Sequence, residues 1–178
     1  MGEFAVTLKG IQRTETTYNS LPTETKMRRR YFLAGLLTGP AMAGPAFGYD
    51  VTKSDAEWKK LLSPAAYDVL RHQGTEAPFT SPLNNEHRKG IFACAGCALD
   101  LYSSDTKFDS GTGWPSFFRP LPGAVLKSQD NSLFMSRTEV HCRRCGGHLG
   151  HVFDDGPAPT GLRYCMNGVA LTFRPATA

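Results

Sequence analysis

The chain has 178 residues, 40% hydrophobic and 20% charged, which fits one folded domain and excludes wholesale disorder. Its 20 Lys+Arg exceed its 16 Asp+Glu by four, but residues 1–43 hold six of the bases and only three of the acids, so residues 44–178 carry a net +1. A nearly neutral body has no broad phosphate-binding field, so nucleic acid is excluded as the main partner.

Residues 1–26 show no sustained period and read as an upstream extension if Met27 is the true start. From Met27 the chain runs through Arg28, Arg29 and Arg30 into an uncharged stretch that reaches Tyr49. Pro40, Pro45 and four glycines interrupt that stretch, so only residues 31–37 are strongly helical and apolar. A charged start, a short apolar run and the small-residue triplet Ala41-Met42-Ala43 read as a cleavable signal over residues 27–46. The order Arg29-Arg30-x-Phe32-Leu33 resembles a bacterial twin-arginine signal, which predicts export to the periplasm. A retained membrane anchor is the alternative.

The body, residues 47–178, opens with two expected short helices between about 54 and 74. Ser54 and Glu57 have capping-box spacing, and Ser63-Pro64 supplies a second cap with proline at the first helical position. Gly74 is the expected stop. Beyond it, short runs rich in Phe, Val, Thr and Tyr (residues 90–93, 132–136, 138–141 and 169–173) alternate with turn residues. That spacing predicts a mainly β body of antiparallel sheets.

Two Cys-x-x-Cys knuckles, Cys94/Cys97 and Cys142/Cys145, can converge as the four thiolates that structural zinc prefers. Gly96 and Gly146 are expected to ease the turns. Two disulfides, or a thioredoxin-like redox pair, are the competing readings. The fifth cysteine, Cys165, lies in RYCMNG, just before a strand-like run. If the segment is extended, Arg163, Cys165 and Asn167 share a face, and the guanidinium favours the nucleophilic thiolate. A buried, inert thiol is the alternative.

Residues 107–117 (KFDSGTGWPSF), 147–157 (GHLGHVFDDGP) and 163–167 (RYCMN) resemble the signatures of the B-type methionine-sulfoxide reductases, and both knuckles stand where that family has them. The resemblance covers roughly residues 54–174. It implies two antiparallel sheets, short N-terminal helices and one structural zinc. It also implies reduction of the R epimer of methionine sulfoxide, free or in oxidised proteins, by a monomer. Cys165 would be the nucleophile and pass through a sulfenic acid. His151 with Asn167 would hold the oxygen, His148 would stand close by, Trp114 would face the methyl group, and Asp155 with Arg163 would orient the site. Trp114 could instead be plain core, and the histidines could be zinc ligands, although four thiolates already complete a tetrahedron. Many relatives carry a resolving cysteine where this chain has Thr112, so recycling is expected to need a small thiol or a thioredoxin-like protein. Gly168 stands where relatives often have Ser. Two other classes compete: a zinc-binding interaction module and a Cys-x-x-Cys disulfide oxidoreductase.

Overall fold

The computed structural model describes residues 48–132 and 135–177, all within one compact unit, Gly44–Ala178. The signal-like residues 27–46, Arg29 and Arg30 among them, lie outside the described residues. Among the described residues no helix is long and apolar enough to cross a membrane.

Helix α1 (Asp55–Leu61) begins at the expected box: Ser54 accepts from the Glu57 amide, and the Glu57 carboxylate accepts from the Ser54 amide at 2.8 Å. Its one buried residue is Trp58. Helix α2 (Pro64–His72) is capped by Ser63 and buries Ala66, Tyr67, Val69 and Leu70. The residue that leaves α2 through the left-handed region is Gln73 (φ 58°), not Gly74. Gly74 serves a different purpose, because a Cβ there would lie 2.1 Å from Asp68 Oδ2.

Among the described residues nine strands form two antiparallel sheets. The smaller has β1 (Gly90–Cys94) between β2 (Asp100–Ser103) and β9 (Leu171–Pro175). The larger runs β3 (Lys107–Phe108), β4 (Ser116–Phe117), β8 (Arg163–Met166), β7 (His148–Phe153), β6 (Arg137–Cys142), β5 (Val125–Asp130). The expected mainly β body with two sheets and short leading helices is therefore what forms.

Two segments differ from expectation. Residues 132–136 were expected to be a strand, but Ser132, Met135 and Ser136 lie in the loop joining β5 to β6. Asp130 turns the chain there by accepting from the Ser132 amide at 2.9 Å, a local bond that competes with the ladder. In the run 169–173, residues Gly168–Ala170 form a 3-10 turn and the strand starts only at Leu171.

The sheets close over aromatic residues. Tyr102 of β2 stacks on Phe117 of β4 at 4.3 Å and donates its hydroxyl to Met166 Sδ at 3.1 Å. Phe92, Leu101, Val140 and Leu149 are fully buried around them. Helix α2 packs on β7 and on the 168–170 turn, and the segment after α2 is bonded to the residues that follow β8.

Candidate active site and metal centre

Strand β8 places Cys165. Pairing sets Cys165 opposite Ser116 on one side and opposite His151 on the other. Directly opposed residues present side chains to the same face, so thiol and imidazole are neighbours. Tyr164 and Met166 point into the core, as the period of two requires. The close approach of β7 to β8 needs Gly150, where a Cβ would sit 2.1 Å from the Cys165 carbonyl oxygen.

Cys165, His151, Asn167 and Trp114 line one cleft of about 120 Å3, together with Thr75, Arg137, Gly150 and Phe153. Trp114 is half-buried and outside the core. Its indole N–H donates to the Glu76 carbonyl at 2.9 Å, which leaves the ring face available to the cleft. His148 does not line this cleft. It is buried one layer behind, its ring 5.4 Å from that of His151, with Nδ1 2.7 Å from Glu139 Oε1. Asp155 and Arg163 also stand outside the lining: two parallel bonds of 2.8 and 2.7 Å join them, and the guanidinium lies 4.5 Å over the Phe153 ring.

The electrostatics of Cys165 depart from the expectation based on Arg163 alone. Burial pushes the thiol above its ordinary value, and the opposing pulls of Thr112, Arg163 and Ser116 do not reverse it. Thr112 Oγ1 lies 3.8 Å from Cys165 Sγ and 2.8 Å from Ser110 Oγ, which in turn lies 2.8 Å from Ser116 Oγ. Two hydroxyls, those of Thr112 and Ser116, therefore flank the sulfur, and Ser110 links them. His151 is pushed down, first by burial, against the pull of Asp130. Its Nε2 lies 2.8 Å from Asp130 Oδ2, and Arg137 donates to the same oxygen at 2.7 Å. Thiol and imidazole are thus both held toward neutrality.

Asn167 is fixed by two partners of unambiguous role. Oδ1 accepts from the Glu76 amide at 2.8 Å and Nδ2 donates to the Leu149 carbonyl at 3.2 Å. A carboxamide has two N–H donors, so one remains for a ligand in the cleft.

The residues that a reading of sequence alone missed are Glu76, Asp130, Arg137 and Glu139. Asp130 and Arg137 flank a loop whose geometry brings them onto His151. Nothing in their spacing announces it.

The four knuckle cysteines sit apart from Cys165 as one cluster, their sulfurs all within 4.8 Å of one another. Cys94 Sγ is 3.7 Å from Cys145 Sγ, and Cys97 Sγ is 3.5 Å from Cys142 Sγ. A tetrahedron of thiolates about 2.3 Å from zinc has edges of about 3.8 Å, so the donor set fits such an ion. The five cysteines form no disulfide.

The knuckles are built alike. In each, the residue after the second cysteine donates to the first cysteine's carbonyl (Ala98 to Cys94, 2.8 Å; Gly146 to Cys142, 2.9 Å). Each first cysteine's amide donates five residues on, to Leu99 and Gly147. Both Ala98 (φ 58°) and Gly146 (φ 67°) are left-handed. The left-handed place in the first knuckle thus belongs to Ala98 and not to the expected Gly96. The cluster joins β1 of the smaller sheet to β6 of the larger.

Residues 62–175 match the SelR domain family. The chain belongs to that family. It is similar to the peptide methionine sulfoxide reductase MsrB of Agrobacterium fabrum, 56% identical over 126 residues that cover 70% of this chain and 93% of the relative. The MsrB of Leptospira interrogans is 55% identical over 127 residues, 71% of this chain and 97% of that one. The MsrB of Methanosarcina barkeri is 57% identical over 125 residues, 70% and 88% of the two chains. The SelR match runs from the end of α1 through β9, so it contains the whole cleft and all four knuckle cysteines.

Proposed function

We propose that the chain reduces the R epimer of methionine sulfoxide through Cys165, with the oxygen held by His151 and Asn167 and the methyl group against Trp114. Methionine sulfoxide reduction follows from membership of the family; the residue roles rest on the cleft. The observation that carries them is that one small cleft collects a thiol, an imidazole, a carboxamide donor and a flat aromatic face from three separate segments.

The reaction balances without a further cofactor. Cys165 Sγ attacks the sulfoxide sulfur, the oxygen takes up a proton and passes to the thiol sulfur, and the products are methionine and a Cys165 sulfenic acid. The thiol proton is the one the oxygen needs. His151, opposite Cys165 across the ladder, is placed to carry it, and Asp130 steadies the imidazolium while it does. Asn167 Nδ2–H stabilises the charge on oxygen. His148 with Glu139 backs His151, and the Arg163–Asp155 pair lends positive field to the thiolate.

Recycling falls to an external thiol. The other four sulfurs are gathered in the cluster, and Thr112 stands beside Cys165. Two equivalents of a small thiol, or one thioredoxin-like dithiol, reduce the sulfenic acid, release water and leave a disulfide. The cluster holds one zinc that acts structurally and enters no step. Residues 27–46 direct export to the periplasm.

Separated R and S epimers of a blocked methionine sulfoxide test the reading. Without reductant, one equivalent of methionine should form per chain from the R epimer alone, and dimedone should trap Cys165. Equal consumption of both epimers would overturn it.

A further inference from the structure

We infer that Glu76, a residue outside the reacting groups, is the positioning residue that sets the distance between the aromatic wall and the oxygen-holding amide, and so selects the sulfoxide epimer. The inference rests on the reading of the cleft given above.

Three sets of bonds meet at this residue. Its carbonyl accepts the Trp114 indole N–H at 2.9 Å, and its amide donates to Asn167 Oδ1 at 2.8 Å. Its carboxylate Oε2 accepts from the Gly168 amide at 2.6 Å and from the Val169 amide at 3.3 Å. The two sides of the cleft are therefore tied to the amide and the carbonyl of one residue, the two peptide groups that flank its Cα, and its side chain anchors that residue to the turn after β8.

The cap explains how Asn167 is released for the cleft. Asn167 is the N-cap of the 168–170 turn, a place where asparagine ordinarily spends its side chain on the first free amides. Here it makes no cap bond. Glu76 satisfies the Gly168 and Val169 amides from 92 and 93 residues away in sequence, with charge-assisted bonds. Gly168 fits the same arrangement, since a Cβ there would meet Ser81 Oγ at 1.8 Å and Glu76 Oε2 at 3.1 Å. Glycine leaves room for the carboxylate to arrive.

Epimer choice is a matter of where methyl and oxygen sit when the sulfur lone pair and the attacking thiol are aligned. Swapping hands exchanges two of those positions. Discrimination then depends on holding Trp114 and Asn167 at a fixed spacing, and a misplacement near 1 Å is worth on the order of a hundredfold in rate.

The test separates reach from charge. Glu76→Gln keeps the length and an acceptor oxygen; Glu76→Asp keeps the charge and is one methylene too short for the Gly168 amide. Each variant is assayed on both epimers, with far-ultraviolet circular dichroism and metal content confirming the fold. Glu76→Gln should stay within about threefold of the parent kcat/KM for the R epimer, and Glu76→Asp should lose roughly ten- to a hundredfold. The R-to-S ratio should fall in Glu76→Asp and not in Glu76→Gln. A folded Glu76→Asp with unchanged kcat/KM and unchanged ratio overturns the proposal. A uniform loss on both epimers would assign Glu76 to stability alone and overturns it equally. A parent protein that does not discriminate between epimers sinks instead the reading of the cleft.

Discussion

Cys165 holds its proton against three neighbours that would help remove it. Burial raises the thiol, while the Thr112 hydroxyl, the Arg163 guanidinium and the Ser116 hydroxyl oppose it. A hydroxyl donated to sulfur stabilises the thiolate and lowers its pKa, so removing the hydroxyl must raise it further. Thr112→Val should therefore shift the pH dependence of Cys165 alkylation by iodoacetamide to higher pH, by up to about one unit. Thr112→Ser should leave it close to the parent. A Thr112→Val profile that overlays the parent would remove Thr112 from the thiol's electrostatics. A hydroxyl at this position can steady the sulfur yet cannot form a disulfide with it, which is why the proposed cycle calls on an external thiol.

At the scale of an element, the two knuckles show one backbone design met by two different residues. Both need a left-handed residue after the second cysteine, and they use Ala98 and Gly146. At Gly146 the demand is doubled, because a Cβ would also lie 2.4 Å from the Tyr49 ring. A left-handed alanine costs roughly 1–2 kcal/mol before any clash is counted. Gly146→Ala should thus lower the denaturant midpoint by at least that equivalent, whereas Ala98→Gly, relieved of strain but freer when unfolded, should change it little. Equal effects of the two substitutions would contradict this account of the knuckles.

At the scale of the whole molecule the cluster ties β1 of the smaller sheet, through Cys94, to β6 of the larger, through Cys142. Folding of a domain this size nets only about 5–15 kcal/mol, and binding of structural zinc contributes on the order of 10 kcal/mol. Removing the proposed zinc should therefore unfold the protein rather than merely inactivate it. Stripping with a chelator, followed by circular dichroism and elemental analysis, should show loss of sheet signal in step with about one zinc per chain. Cys94→Ser should behave as the stripped protein does. A metal-free chain that kept its sheets and its midpoint would show that the core alone suffices.

The chain's local chemistry carried a good deal of this outcome. Ser54 with Glu57, and Ser63 with Pro64, mark both helix starts because capping is settled within three or four residues. The paired Cys-x-x-Cys spacing marks the four-cysteine cluster because each knuckle is a local turn. Cys165 stands out through its motif neighbours. The run 132–136 reads as a strand from its apolar pattern, but Leu133 and Phe134 lie outside the described residues and Ser132, Met135 and Ser136 lie in a loop that Asp130 helps to turn.

What only the tertiary structure decided is how those pieces are held. Glu76 reaches Asn167 across 91 residues and Trp114 across 38, and Asp130 reaches His151 across 21. Such bonds depend on how β7 and β8 lie against the segment after α2 and the β5–β6 loop. Sequence alone therefore named the groups that are proposed to react. The packing of distant segments decided which way they face, because a hydrogen bond is set by position in space and leaves no period along the chain.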